Sequence, residues 1–298
     1  MKKYRFTVVT PCYNSEKFIK RVFDSLKKQT FKNFEWYVIN DASTDKTSHE
    51  IKKFSETVDF PVIFHDLEKN QGLYNNINQA ISDANGEFFI LYGHDDEISK
   101  DALETFDSLF TKYNSPNIGS IYALAKDQTG KLVGKKYPKD EFISNYWVQF
   151  FDLGNEAEKF QCWKTDYLRE FYPLPTKKPN GQSSSWLWGK FGMKYQSIFI
   201  NKVLRTYYTN VETSITATSN RESNPNMTFN YHVTWVNEFQ YHIKNKKRRY
   251  RGVGACVSHG ILSGKSIWQI LPKIEKNSNK LICLLFYPIA IYYNKRNK

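Results

Sequence analysis

Between Phe6 and His65 the chain repeats one pattern: a short β-rich run, a polar turn, then a helix-length amphipathic stretch. Strand-like runs at Phe6 to Thr10, Glu35 to Asn40 and Val62 to His65 alternate with helical stretches at Glu16 to Lys28 and Asp45 to Glu56. That rhythm predicts a parallel sheet with helical crossovers. In the first helical stretch Phe18, Val22 and Leu26 recur at i, i+4 and i+8 with Ile19 and Phe23 beside them, giving one apolar face to lay on a sheet. Trp36-Tyr37-Val38-Ile39 is apolar without alternation, which suits a strand covered on both faces. It runs directly into Asn40-Asp41-Ala42-Ser43-Thr44-Asp45, so polar groups gather at a strand's carboxyl end, where open α/β sheets bind ligands.

A third helical stretch, Gly72 to Ala84, precedes the strand Phe88 to Tyr92, which leads into Gly93-His94-Asp95-Asp96-Glu97; a helix is predicted from Ser99 to Phe110. Beyond about residue 125 the periodicity fades until Trp186 to Tyr195. At 298 residues the chain is long enough for one large α/β domain with an appendage. Cys12, Cys162, Cys256 and Cys283 lie far apart, with no CxxC pair and no histidine at ligand spacing, which argues against a disulfide framework or a zinc site and fits a reducing cytoplasm. The first residues lead straight into a strand-length apolar run too short for a signal-peptide core, and no uninterrupted apolar run is long enough to span a bilayer. The expectation is a protein neither exported nor membrane-spanning.

Two adjacent carboxylates directly after a buried strand, Asp95 and Asp96, repel one another unless they are solvated or hold a cation. A hard divalent metal would relieve that repulsion and bridge a diphosphate. Taken alone, Asp95-Asp96 also reads as a solvated loop near the start of the helix at Ser99. Likewise Thr10-Pro11-Cys12-Tyr13-Asn14 and Asp41-Ala42-Ser43-Thr44-Asp45 each read as a capping turn, with Asn14 or Ser15 as the cap of the first helix.

Their order and spacing together carry more. Val8-Val9-Thr10-Pro11-Cys12-Tyr13-Asn14, then Gln29 to Glu35, Asn40 to Asp45, Asn70-Gln71-Gly72, Asn78, Ala84-Asn85-Gly86-Glu87 and the Asp95-Asp96 turn resemble the opening of family 2 glycosyltransferases over residues 4 to 115. The resemblance implies an A-type glycosyltransferase fold: α/β, Rossmann-like, a mostly parallel sheet flanked by helices, here with a C-terminal helical extension. It implies a nucleotide-sugar-binding half at 1–125, an acceptor-side half of the same catalytic domain at 126–215, and the extension at 216–298. It further implies a nucleoside diphosphate sugar donor, in the first instance a UDP-sugar, and a divalent cation, Mn2+ or Mg2+. Pro11, Tyr13, Asn70 and Gly72 would line the donor pocket, Asp41 would contact the base, Asp95 would lie at the ribose, and Asp96 would ligate the metal. One departure stands out: many relatives have an aspartate where this chain has Gly93.

The second half resembles the acceptor side of capsule, teichoic-acid and lipopolysaccharide transferases more loosely, through Lys159 to Leu168, Trp186 to Lys190 and Phe199 to Tyr208. A catalytic carboxylate normally precedes that helix. Here Phe171 to Val211 contains no Asp or Glu, and Gln182 stands near the expected acid. Inverting transfer needs a base for the acceptor hydroxyl, and a neutral amide cannot supply one. The base candidates are therefore Glu156, Glu158 and Asp166, and a donor-binding, non-catalytic member is the alternative.

The formal charge of +13 implies an anionic partner. The basic run Lys244 to Arg251 lacks the surrounding signature of a nucleic-acid module, so nucleic acid is not the expected partner, and a nucleic-acid-binding protein stays as the remote alternative that charge alone suggests. Leu281 to Tyr293 is apolar, broken by Pro288 and flanked by Lys276, Lys280, Lys295, Arg296 and Lys298. It is too short to span a bilayer, and it reads either as an interfacial anchor or as a terminal helix packed on its own domain. The expectation is a cytoplasmic enzyme peripheral on the inner face of the cell membrane, acting on a glycan or lipid-linked acceptor.

Overall fold

The computed structural model describes residues 3–176, 184–209 and 225–296. Four parallel strands, β1 (Tyr4–Cys12), β2 (Phe34–Asn40), β3 (Val62–Asp66) and β4 (Gly86–Leu91), lie in the order β3-β2-β1-β4. The crossovers are α1 (Ile19–Lys27), α2 (Thr47–Ser55) and α3 (Leu73–Asp83). Every residue of β2 is buried, as its unbroken apolar run requires. On α1 the buried residues include Ile19, Val22, Phe23 and Leu26, the face read from the periodicity. The helix begins at Ile19 rather than Glu16, because the residues before it are committed to a clasp with the next loop.

The rest of the sheet comes from the stretch where periodicity fades. After the two-residue β5 (Glu97–Ile98) and α4 (Ala102–Lys112) come β6 (Ile118–Asp127), β7 (Leu132–Val133), β8 (Phe142–Ser144), β9 (Phe160–Lys164), the short α5 (Thr165–Arg169), α6 (Ser184–Lys194) and β10 (Gln196–Tyr207). The sheet continues β4-β9-β6-β10-β5, with β9 antiparallel to both neighbours. The sheet is therefore mixed, though its long strands run mostly one way. At five residues β9 is too short for its pattern to register, and its place between β4 and β6 is a long-range choice.

Several of the motif residues serve this scaffold rather than chemistry. The buried Glu35 accepts from Thr7 Oγ1 at 2.6 Å and from the Asn85 backbone N–H at 2.8 Å, while the Gly86 N–H donates to Thr7 Oγ1 at 2.8 Å. A Cβ on Gly86 would lie 2.3 Å from the Thr7 backbone nitrogen, so only glycine permits β4 to begin there. Gln29, also buried, donates to Ser25 O and Ser99 O and accepts from the Leu103 N–H, tying the end of α1 to the start of α4.

The chain divides into two compact units. One is made of Met1–Ser144, Asn155–Pro173 and the segment containing β10; the other of Asn145–Gly154, Leu174–Lys194 and the C-terminal part from Ser219. The described helices of that part include α7 (Pro225–Asn237), α8 (Lys246–Leu262) and α9 (Asn277–Arg296). Gly252 of α8 faces Trp235 of α7 so closely that a Cβ would lie 1.7 Å from the indole nitrogen. The four cysteines are free and buried. Among the described residues no helix is long and apolar enough to cross a membrane.

Candidate active site

The carboxyl ends of β1, β2 and β4 meet where the connection order reverses, since β2 follows on one side of β1 and β4 lies on the other. Such a switch point opens a crevice for a ligand. Its walls are loops locked to one another. The Asn14 N–H donates to Ser43 Oγ at 2.9 Å, the Thr44 N–H to Asn14 Oδ1 at 2.9 Å, the Ser15 N–H to Thr47 Oγ1 at 2.7 Å, and the Glu16 N–H to Asp45 Oδ2 at 3.1 Å. Burial works against the Asp45 carboxylate, but the Thr47 hydroxyl and the Glu16 and Thr47 N–H groups outweigh it and hold its pKa below the usual range. Asn14 and Ala42 take left-handed backbone conformations, with φ of 51° and 57°. For Ala42, without a side chain that bonds locally, this is strain concentrated beside the crevice.

Asp41, buried at the end of β2, accepts from the Gln71 N–H at 2.7 Å on one oxygen and from the Gly72 N–H at 2.9 Å on the other; Asn70 Nδ2 donates to the Asp41 carbonyl at 3.2 Å. Three expected donor-pocket residues, Asp41, Asn70 and Gly72, are thus one hydrogen-bonded unit. Gly72 has φ of 83°, which a side chain would disfavour. Tyr13 is 45% exposed after β1 and Pro11 lies within the strand, paired with Ile39.

The acidic turn holds two carboxylates in different states. Asp96 is fully buried; its Oδ2 accepts from Arg205 Nε at 2.8 Å and from Nη2, and its Oδ1 from the Tyr208 N–H at 3.1 Å. Burial pushes its pKa up, with the Arg205 charge opposing and the Asp95 charge reinforcing the rise. Asp95, 8% exposed, has no hydrogen bond or ion pair to its carboxylate among the described residues. Its carbonyl accepts from Arg21 Nη1 at 3.1 Å, and the Arg21 guanidinium lies 3.9 Å over the Tyr208 ring. His94 Nε2 is buried without a hydrogen-bond partner. A Cβ on Gly93 would stand 2.8 Å from Asp96 Oδ2 and 3.1 Å from Asp95 Oδ1. The glycine that replaces the usual acid is therefore what lets both carboxylates sit as they do.

Of the base candidates, Glu158 is brought to this edge of the sheet: it is about half exposed and its Oε2 lies 3.8 Å from Arg205 Nη1. Glu156, two residues earlier, is exposed. Asp166 is not brought there. It follows the end of β9 that pairs with Phe88, next to Thr165, whose hydroxyl donates to Gly86 O at the opposite edge, and it pairs with Arg169 at 3.0 Å. The antiparallel run of β9 carries it to the opposite end of the sheet from Asp96. Gln182 lies outside the described residues.

Arg205, Arg21, Tyr208 and Lys159 were not singled out from the sequence. Lys159 is completely buried and donates only to the carbonyls of Val133, Ala157 and Glu158, and burial lowers its pKa to about 8. The sequence carried little signal for Arg205: its strand also holds Asn201, Lys202 and Thr206, and only burial makes one of these cations need a partner.

Among the described residues no group of three histidine, cysteine or carboxylate side chains gathers as a preformed metal cage. The donor set present still suits a hard cation, which takes one or two protein carboxylates and completes its shell with diphosphate oxygens. Asp95 offers one carboxylate that, among the described residues, no side chain hydrogen-bonds or ion-pairs directly, although the Arg205 charge acts on it.

The family model for glycosyl transferase family 2 matches residues 7–159. The chain is 35% identical over 114 residues to the poly(ribitol-phosphate) beta-N-acetylglucosaminyltransferase TarS of Staphylococcus aureus, covering 37% of this chain and 20% of that protein. It is 31% identical over 125 residues to the glycosyltransferase GlyA of Streptococcus pneumoniae, covering 42% and 18%. A Campylobacter jejuni GalNAc(5)-diNAcBac-PP-undecaprenol beta-1,3-glucosyltransferase is 25% identical over 210 residues, covering 68% and 64%. The matches thus span about a fifth of the length of TarS and GlyA. In three dimensions the chain is similar to S. aureus TarS 1-349 in complex with UDP-GlcNAc, with a TM-score of 0.64 at 18% identity, covering 96% of this chain and 81% of that one. It is similar also to the Pyrobaculum calidifontis mannosyltransferase PcManGT in complex with GDP-Man and Mn2+, with a TM-score of 0.54 at 16% identity, covering 99% and 83%. These likenesses show the A-type glycosyltransferase fold.

Proposed function

The chain belongs to glycosyltransferase family 2, and from that premise we propose that it transfers a sugar, with inversion, from a nucleoside diphosphate donor to a cell-surface glycan or lipid-linked acceptor. The observation that carries this reading is the pair of unlike carboxylates beside the switch-point crevice, one locked by Arg205 and one free. A UDP-sugar is the proposed donor, supported by the UDP-GlcNAc bound to the similar TarS structure. A lipid-linked acceptor, met at the inner membrane face, is supported by the undecaprenol-linked substrate named for the Campylobacter relative.

In this proposal Tyr13 and Pro11 border the base, and Asp41, oriented by the Gln71 and Gly72 N–H groups, accepts from the base's N–H through its remaining lone pairs. The metal assignment moves by one residue. Asp96, the ligand expected from the sequence, would have to release Arg205 to meet a cation, so Asp95 becomes the proposed ligand and Asp96 the residue that positions the turn. A divalent cation there would neutralise charge on the departing nucleoside diphosphate. Arg21, whose guanidinium bonds the Asp95 carbonyl, stands beside the same charge. Glu158 is the proposed base, and Glu156 the neighbouring alternative.

The test is donor turnover by the full chain with UDP-sugars and Mn2+. Asp95→Asn should abolish metal-dependent turnover and leave the melting temperature nearly unchanged, whereas Asp96→Asn should lower both. Full metal-dependent turnover by Asp95→Asn would reject the assignment. One observation favours a second reading, a donor-binding member without transfer: the acid-free stretch from Phe171 to Val211. Nucleotide-sugar binding without turnover on any acceptor would establish it.

A further inference from the structure

The formal charge of +13 is not spread over the chain. The unit containing the sheet holds 25 Lys and Arg against 26 Asp and Glu, a balance of −1; the other unit holds 18 against 4, a balance of +14. A compositional bias of the coding sequence would act on both units alike. The imbalance therefore points to a local partner of negative charge.

The same unit carries an apolar surface of defined geometry. The helix α9 packs on α8, and its buried side includes Asn279, Cys283 and Ala290; Asn294 bonds Ser258 of α8 through both its amide oxygen and its amide nitrogen, while Asn279 donates to Val236 O of α7. At 3.6 residues per turn the opposite face is Leu281, Leu284, Leu285, Ile289 and Tyr292. These five are 60%, 42%, 65%, 49% and 59% exposed. The stripe runs about 17 Å along the helix. Lys276 and Lys295 with Arg296 stand exposed at its two ends, and Glu275 is the one acid near it in sequence. The helix is thus neither a free anchor nor an ordinary terminal helix: one side is packed, and the other presents leucines and a tyrosine between cations.

We infer that the outer face of α9 docks on an anionic lipid surface, with Leu281, Leu285 and Ile289 entering the acyl boundary and the flanking cations meeting headgroup phosphates. A nucleic acid would satisfy the charge but offers no apolar phase for leucines, and a second copy would bring another +14 unit against this one. The inference rests on the membrane-face part of the reading above and not on catalysis.

The experiment is flotation of the full chain with vesicles of equimolar phosphatidylglycerol and phosphatidylcholine, and with phosphatidylcholine alone, beside donor turnover measured without vesicles. Binding is expected on the anionic vesicles. The double variant Leu281→Ser, Leu285→Ser should bind them roughly tenfold or more weakly, with unchanged melting temperature and unchanged donor turnover. The double variant Lys295→Gln, Arg296→Gln should lose affinity at low salt and differ little from the parent at high salt. The inference is overturned if the full chain ignores anionic vesicles, if the leucine variant floats as the parent does, or if sedimentation shows a dimer that the leucine variant abolishes. Loss of donor turnover with vesicle binding intact would reject the transferase reading and leave the docking face standing.

Discussion

Arg205 and Asp96, 109 residues apart in the chain, form a buried two-point ion pair in which Nε and Nη2 of one guanidinium both meet Oδ2 of the carboxylate. The pair joins β10, a strand of the far half of the sheet, to the turn after β4, and the Tyr208 N–H completes it on Oδ1. A planar fork held against a carboxylate fixes orientation as well as charge. The position of the acidic turn is therefore set from a strand that the first 125 residues do not contain.

Replacing Arg205 by Ala leaves Asp96 buried without its cation and should cost about 3–5 kcal/mol of stability, read as a shift in urea midpoint. Arg205→Lys keeps the charge but not the fork. It should lose less stability, yet still lower metal-dependent turnover, because the turn is held at one point.

Gly93→Ala tests whether the departure from the family's acid is built into this turn. Its Cβ would press on Asp96 Oδ2, which Arg205 prevents from yielding. Turnover should fall at least tenfold while nucleotide affinity changes little, and Gly93→Asp, despite restoring the common pattern, should do worse. Activity equal to the parent in either variant would mean that the turn has slack that the packing denies.

Asp41→Ala strips acceptors from two loop N–H groups and should destabilise the fold by about 1–3 kcal/mol as well as weaken nucleoside diphosphate binding. Calorimetric titration with UDP separates the effects when run well below the variant's melting temperature. Unchanged UDP affinity would leave Asp41 as a brace for the Gln71-Gly72 backbone and nothing more.

Glu158→Gln should reduce transfer about 100-fold if it is the base, with donor affinity retained, whereas Asp166→Asn, at the opposite edge of the sheet, should leave transfer unchanged. If Glu158→Gln and Glu156→Gln both retain full transfer, neither is the base.

Lys159 gives a pH signature. Its pKa falls from 10.5 unfolded to about 8 folded, so between those values the unfolded chain binds a proton that the folded chain does not. Stability from this group is therefore lowest below about pH 8 and rises with pH through that window. The difference in urea midpoint between the parent and Lys159→Met should shift in the parent's favour from pH 7.5 to 10. A difference flat with pH would show the ammonium to be better solvated than its burial indicates.

Much of the first half was legible, for a local reason. The periods of α1 to α4 and the unbroken apolar runs of β2 and β4 record which face of each element is covered, and their ends were read to within a few residues. The exceptions are instructive. The start of α1 moved to Ile19 because Asn14 to Glu16 hydrogen-bond the Ser43–Thr47 loop, and no window around residue 16 contains that partner. The strands β6 and β9 were missed because an element inside a mixed sheet is chosen by its neighbours.

The sequence by itself determined the family, the order of its motifs, the crossover fold around β1 and the identity of the two acids after β4. It also contained the excess of positive charge and the apolar run near the C-terminus. Only the tertiary structure decided which acid is free, because the cation that occupies Asp96 arrives from β10. It also placed Asp166 at the opposite end of the sheet from Asp96 and Glu158 beside Arg205, and turned the leucines of α9 outward. The division follows from range: periodicity and turn chemistry act over a few residues and are written locally, whereas ion pairing, strand insertion and the choice of exposed face depend on groups that only the folded chain brings within reach.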